Sequence, residues 1–332
     1  MHVVAAPDKF RGTATAAEVA EAVARAVAAA GGTCDAVPVA DGGEGTLEVL
    51  GGPNRTATVT GPLGDPVQAA WRYGGRTAVV EMARASGLEL VGGAEGNDVV
   101  AAATYGTGEL IGAAVELGCR RVIVGVGGSA TVDGGLGAVR ALEPLARLRG
   151  VEIVVACDVR TPFLDAARIF GPQKGASPAQ VELLGRRLAR LAQVYERSYG
   201  VDVRPLVGGG AAGGLAGGLA AIGASLVPGF DLVADELDLA DRLDGADLAV
   251  TGEGFLDEQS FEGKVVGGMA ELAAAAGVPV LAVVGEVLEG MSLPDGLEVV
   301  SLVETCGEER ARTDTAACVE EVVAGRLART SW

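Results

Sequence analysis

Residues 251–264 read TGEGFLDEQSFEGK and follow directly on the apolar run Ala246-Asp247-Leu248-Ala249-Val250. The run predicts a buried strand. Its end releases four carboxylates (Glu253, Asp257, Glu258, Glu262) and Lys264 within fourteen residues. In open parallel sheets ligands bind outside the carboxyl ends of the strands, so this stretch asks what else the chain brings to such ends. A helix over 264–276, strands over 278–284 and 297–303 and a helix over 314–327 are predicted to follow. The N-terminus has the same rhythm: a strand at His2–Ala6, then a helix opened by the capping-box pattern Thr15-Ala-Ala-Glu18, with Val19, Val23 and Val27 on one face. Gly31-Gly32 stops it, and a strand at Cys34–Val39 and a short helix at Gly43–Leu50 come next. Both ends therefore predict pieces of one parallel α/β sheet with short turns.

The middle has another texture. Strands are expected at 56–60 and 77–82, a helix at 107–117, a strand at Arg121–Val126, a largely helical Asp133–Leu148, and a strand at Val151–Cys157. Ser177-Pro178 opens a helix to about Tyr195 with Val181, Leu184, Leu188 and Leu191 on one face, its arginines (186, 187, 190) reading as a solvated surface. A small-residue helix is expected over Gly208–Gly223. The pattern predicts a discontinuous domain, 1–55 plus 230–332, with a second α/β domain, 56–229, inserted in it.

Composition limits the function. A chain of 332 residues with 49% hydrophobic residues is globular and can hold two cores. A net charge of −18 argues against nucleic-acid and anionic-membrane partners. Five scattered cysteines without a C-x-x-C suggest reduced thiols and a cytoplasmic setting. Leu206 to Phe230 lacks charge for 25 residues, but nine glycines make it a buried soluble segment rather than a membrane span. One histidine, His2, removes Ser-His-Asp and Cys-His schemes, and base work falls to a carboxylate or lysine.

Besides 251–264, four loops gather polar residues: Pro7-Asp8-Lys9-Phe10-Arg11-Gly12-Thr13, Asp41-Gly42-Gly43-Glu44-Gly45-Thr46, Gly127-Gly128-Ser129-Ala130-Thr131-Val132-Asp133-Gly134-Gly135, and Phe170-Gly171-Pro172-Gln173-Lys174-Gly175. Each has a plainer reading. Asp8 and Thr13 can cap a helix, and Gly-Gly-Glu-Gly can be a tight turn. No Walker A motif occurs, since Val265 follows Gly263-Lys264, and the Gly125–Ala130 G-x-G-x-x-A lacks the acid that holds a ribose. As a set the loops supply what phosphoryl transfer needs: amides for phosphate, carboxylates for Mg²⁺, cations, and a carboxylate base. A metal-dependent phosphatase or aldolase could use similar parts.

These motifs, with Gly210-Ala211-Ala212-Gly213-Gly214-Leu215, resemble in order the bacterial glycerate kinase family. The resemblance implies two α/β domains, one flavodoxin-like and discontinuous, with a cleft between them, and phosphorylation of D-glycerate by ATP and Mg²⁺, with 2-phosphoglycerate favoured. It implies small-molecule partners only, for a monomer or homodimer. The chain departs from the family at Phe255, where arginine is usual, at Arg11 for lysine, at Val132 for asparagine, and in a short connection over 142–151. Arg11 or Arg160 would have to supply the missing charge, or activity is reduced or redirected to another small hydroxy acid, or the protein binds ligand without turnover. On this reading Asp8, Arg11, Asp41, Asp133 and Lys264 are catalytic, with Asp41 the leading base. Lys9, Gly42, Gly43, Glu44, Gly127, Gly128, Ser129, Thr131, Gln173, Lys174, Glu253 and Asp257 bind substrate or nucleotide, and Asp41 with Glu253 places Mg²⁺.

Overall fold

The computed structural model describes residues 1–10, 12–261, 263–288, 290–291, 293–294 and 297–329. Its strands are β1 (His2–Ala5), β2 (Thr33–Ala36), β3 (Arg55–Thr60), β4 (Pro66–Gly74), β5 (Thr77–Glu81), β6 (Arg121–Gly125), β7 (Glu152–Ala156), β8 (Ser225–Val227), β9 (Leu248–Leu256), β10 (Val280–Val287) and β11 (Leu297–Ser301). The chain divides into two compact α/β units, residues 1–41 with 230 onward, and Gly42–Gly229.

The first unit holds the sheet β2-β1-β9-β10-β11, parallel throughout. Counted within the unit this is the order 2-1-3-4-5 of flavodoxin-like folds, whose switch point lies between the first and third strands, here β1 and β9. The central strands are continuous apolar runs because both faces are covered. On one face Val19, Val23 and Val27 of helix Ala16–Ala29 meet Val319 and Val323 of helix Thr315–Leu327 over Val250 and Val283. On the other, Val266 of helix Val265–Ala276 packs on Leu256, Ala282 and Val284. Each such side chain contributes about 1.5–3 kcal/mol on full burial. The Thr15–Glu18 capping box forms as the sequence predicts.

The second unit holds the sheet β3-β4-β5-β6-β7-β8, antiparallel from β3 to β5 and parallel from β5 to β8. Trp71, Val80, Leu110, Val124, Val155 and Leu215 form its main core. Here the structure corrects several expectations. β4 is an additional strand, paired with β3, that the flanking Gly/Pro turns concealed. Asp133–Leu148 is not one helix: Leu136–Ala141 is helical, Pro144 interrupts, and Leu145–Leu148 is a 3-10 turn. Residues 42–55 group with this unit, since Glu81 at the end of β5 accepts hydrogen bonds from Gly45 and Leu47 N–H, both at 2.9 Å.

The charge-free segment 206–230 contains helix Ala211–Ala221, buried save for Ala220. Among the described residues no helix is long and apolar enough to cross a membrane. This helix starts with three left-handed residues, Ala212 (φ 51°), Gly213 (φ 66°) and Gly214 (φ 91°). Gly213 is required, because a Cβ there would overlap the Thr131 carbonyl oxygen. Left-handed Ala212 carries the strain of a non-glycine residue in that region.

Candidate active site

The first unit opens a cavity of about 340 Å³ at the carboxyl ends of β1, β9 and β10, at the switch point. Past β1 the chain stays tied to β9: Ala6 N–H donates to Val250 O (2.8 Å), Asp8 N–H to Gly252 O (2.9 Å), and the Thr251 hydroxyl to Ala6 O (2.9 Å). This presents Asp8 and Lys9 to the cavity. The Asp8 carboxylate accepts from Lys9 N–H at 2.7 Å and lies 3.8 Å from the Lys9 ammonium. Asp41, 6% exposed, lines the same cavity.

β9 supplies the other wall. Gly252 stands opposite Val283 of β10, so close that a Cβ would overlap the Val283 carbonyl oxygen. The next residue, Glu253, is 9% exposed, and its Oε1 is buried without a hydrogen-bond partner among the described residues. Burial pushes its carboxyl up to about 7, with the Asp8 and Asp257 charges adding to the rise and the Ser260 hydroxyl and Lys264 ammonium opposing it. Asp257 is fixed by a local turn, accepting from Ser260 N–H (3.1 Å) and the Ser260 hydroxyl (3.3 Å). Lys264 stands just before helix Val265–Ala276 and also lines the cavity.

Two charged residues of this cavity carried no motif, Glu286 on β10 and Arg312 on helix Glu308–Thr313. Arg312 is paired with Glu308 at 3.3 Å on an exposed helix surface, a weak pairing that leaves the guanidinium able to turn to a ligand. It shares the cavity with Phe255, 46% exposed, so a cation is present although position 255 has none. Arg160, weighed as its replacement, sits exposed in the second unit. Arg11 and Glu262 lie outside the described residues.

In the second unit the glycine loops meet one another. Val126 N–H donates to Gly42 O (3.2 Å), the Thr46 hydroxyl to Gly43 O (2.7 Å), and Gly127 lies against Gly43 and Glu44 so tightly that a Cβ would stand 2.9 Å from Gly43 Cα. Glu44 is exposed, and Gly128 has a left-handed φ of 65°.

Two expectations need correction. Lys174, expected to reach a phosphate, is 3% exposed and turned inward, donating to the Ser129 hydroxyl (2.6 Å) and Thr131 O (2.7 Å). It is a tie that shapes the 127–131 loop, while neighbouring Gln173 is exposed. Asp133, expected as a base or metal ligand, accepts from Thr104 N–H (2.9 Å), the Thr104 hydroxyl (2.8 Å), Gly135 N–H (3.0 Å) and Gly137 N–H (3.0 Å). Those four donors make it the anchor of the turn into helix Leu136–Ala141.

Burial holds the Lys174 amine down to about 7, against an ordinary lysine value of 10.5, with Asp133 opposing. The unfolded chain therefore binds more protons between these values, and Lys174 makes stability rise with pH across that window. Lys174→Met is expected to abolish this rise, which urea unfolding midpoints of both proteins from about pH 7 to 10 would show. Parallel pH dependences would contradict it.

Among the described residues no group of three or more His, Cys, Asp and Glu is placed to hold a metal. Mg²⁺ in kinases needs only one or two carboxylates, the rest coming from phosphate and water. Asp8, Asp41 and Asp257, which line one cavity beside Glu253, fit that demand.

The family model described as the glycerate kinase family matches residues 3–144 and 143–330. A glycerate 2-kinase of Escherichia coli (strain K12) is 40% identical over 92% of this chain and 91% of its own. A glycerate kinase of Bacillus subtilis (strain 168) is 39% identical, covering 86% and 85%. A crystal structure described as glycerate kinase 2 from Salmonella typhimurium LT2 superposes with a TM-score of 0.84 at 36% identity, covering 99% of both chains. With matching motifs, matching fold and matching length, the chain belongs to the glycerate kinase family.

Proposed function

We propose that this chain phosphorylates D-glycerate with ATP, at the 2-hydroxyl, giving 2-phosphoglycerate and ADP. Membership of the family makes it a kinase that transfers phosphate to an alcohol. The observation that supports the site is Glu253: a buried carboxyl at the switch point, with an oxygen unpartnered among the described residues and its proton affinity raised to about 7. A base works best when its pKa lies near the operating pH.

In this reading the glycerate hydroxyl oxygen attacks the γ-phosphorus in line. The bond from that phosphorus to the bridging oxygen breaks, ADP leaves, and Glu253 takes the hydroxyl proton. Glu253 is preferred to Asp41 as base because its environment tunes it for the task. Lys9, Lys264 and Arg312 offset the negative charge of the glycerate carboxylate and the transferring group, Arg312 being able to grip an oxyanion with two N–H groups. Asp8, Asp41 and Asp257 would hold Mg²⁺, which supplies charge neutralisation on the phosphate oxygens when bound. Arg11, from the same loop as Asp8, remains assigned to the carboxylate or γ-phosphate. Within the second unit, the glycine loop at 127–131, shaped by the Lys174 tie, has the composition that offers backbone amides to an anion. None of the five cysteines forms a disulfide, which fits a cytoplasmic enzyme with small-molecule partners.

A coupled ADP-release assay over a panel of small hydroxy acids tests the substrate. The highest kcat/KM is expected for D-glycerate. Turnover confined to a bulkier hydroxy acid would instead assign exposed Phe255 to an apolar substituent, and binding without ADP release would remove the kinase reading.

A further inference from the structure

A second cavity, of about 400 Å³, lies within the second unit and is used by none of the chemistry above. Ala102, Val132 and Leu188, all buried, face it, with Leu136 and Leu191 half-buried beside them. Three exposed arginines also line it: Arg187 and Arg190, one turn apart on helix Pro178–Tyr199, and Arg140 on the facing helix Leu136–Ala141.

The arginines of this helix read from sequence as one solvated surface, but the structure separates them. Arg186 pairs with Glu182 at 3.8 Å. Arg140, Arg187 and Arg190 have no carboxylate within ion-pair distance among the described residues, in a chain with 44 acidic and 26 basic residues. Arg187 is steadied by donating to Val100 O at 2.9 Å, which uses one of its five N–H groups. The lining carboxylate, Asp133, is already met by four donors, so it opposes an anion weakly.

An apolar cavity of this size with a few placed polar groups is how small-molecule sites are built, and three unpaired guanidiniums set the sign of the ligand. We propose that this cavity binds a small organic anion other than the substrates of phosphoryl transfer. Its aromatic or branched aliphatic body fills the space between Val132, Leu136, Leu188 and Leu191. Its carboxylate or phosphate group is held by Arg140, Arg187 and Arg190.

The probe is 1-naphthyl phosphate, titrated into the full-length protein and followed by its fluorescence. 1-Naphthoate tests the carboxylate source, and inorganic phosphate and 1-naphthol supply the charge and the apolar body separately. Saturable one-to-one binding of at least one naphthyl oxyanion is expected, at least tenfold tighter than either control. The better head group identifies the ligand class. The double variant Arg140→Gln/Arg190→Gln, which alters only exposed side chains, is expected to weaken it at least tenfold. Leu191→Glu is expected to weaken it further, with circular dichroism confirming that each variant is folded. Affinity no greater than that of the controls, or unchanged in the double variant, would overturn the proposal. Displacement of the probe by ATP or D-glycerate would overturn it too, by giving the cavity to the reaction already described.

Discussion

Glu253→Gln is expected to lower kcat by about 10²–10⁴-fold, the usual contribution of a positioned general base. The amide keeps the size of the side chain and cannot accept a proton. The wild-type enzyme is expected to lose kcat as pH falls through about 7, where the Glu253 carboxyl protonates, and the variant to lose that acidic limb. Stability should move the other way. The folded-state value, about 7, lies above the ordinary 4.5, so the folded protein binds the extra proton between those values. Stability from this group is therefore present at low pH and is lost as pH rises through the window, the full cost standing above 7. Glutamine escapes that cost, so near pH 8 the variant should be more stable by roughly 3 kcal/mol, and near pH 4.5 about equal. Urea unfolding at the two pH values measures it. A variant with near wild-type kcat and an intact acidic limb would return the base role to Asp41 or Asp8.

Gly252→Ala is the second large effect. A methyl group at 252 has no room, because the Val283 carbonyl of the paired strand occupies the space, and backbone atoms cannot swing aside as a side chain does. The strands β9 and β10 must part, at a cost of about 3 kcal/mol, the upper part of the usual range for overpacking. For a chain of 332 residues, with an unfolding entropy of about 2.1 cal/mol/K per residue, that corresponds to a fall in Tm of about 4 °C. Glu253 is the adjacent residue, so kcat should fall with it, since small displacements of catalytic groups cost large factors. Gly325→Ala is the control: an exposed position in helix Thr315–Leu327, open to a Cβ, where alanine should be neutral or stabilising by up to about 1 kcal/mol. A Gly252→Ala protein with unchanged Tm would show that the sheet yields there without penalty.

These two residues stand side by side in the stretch TGEGFLDEQSFEGK, and most of the first unit was legible from it. Continuous apolar runs that end in charge identify buried parallel strands, so β1, β9, β10 and the first-unit residues Asp8, Lys9, Asp41, Glu253, Asp257 and Lys264 could be named before their distances were known. What could not be read was where a polar side chain points. Lys174 ends the Gly-Pro-Gln-Lys turn, whose sequence gives its side chain no direction, and only the position of Ser129 and Thr131 shows that its amine turns inward. Asp133 has the composition of a ligand and the geometry of a turn anchor, and the sequence holds no trace of the four donors around it. Arg312 comes from a helix whose surface alternates charge, where nothing distinguishes a cavity-lining arginine from a solvated one. β4 was hidden because Gly61–Pro66 reads as punctuation, although its turn closes an ordinary hairpin.

The product formed from D-glycerate and MgATP, read by phosphorus NMR of the reaction mixture, tests the proposed reaction most directly. ADP and 2-phosphoglycerate are expected in equal amounts. ADP with inorganic phosphate alone, or no loss of ATP in the presence of D-glycerate, would contradict it.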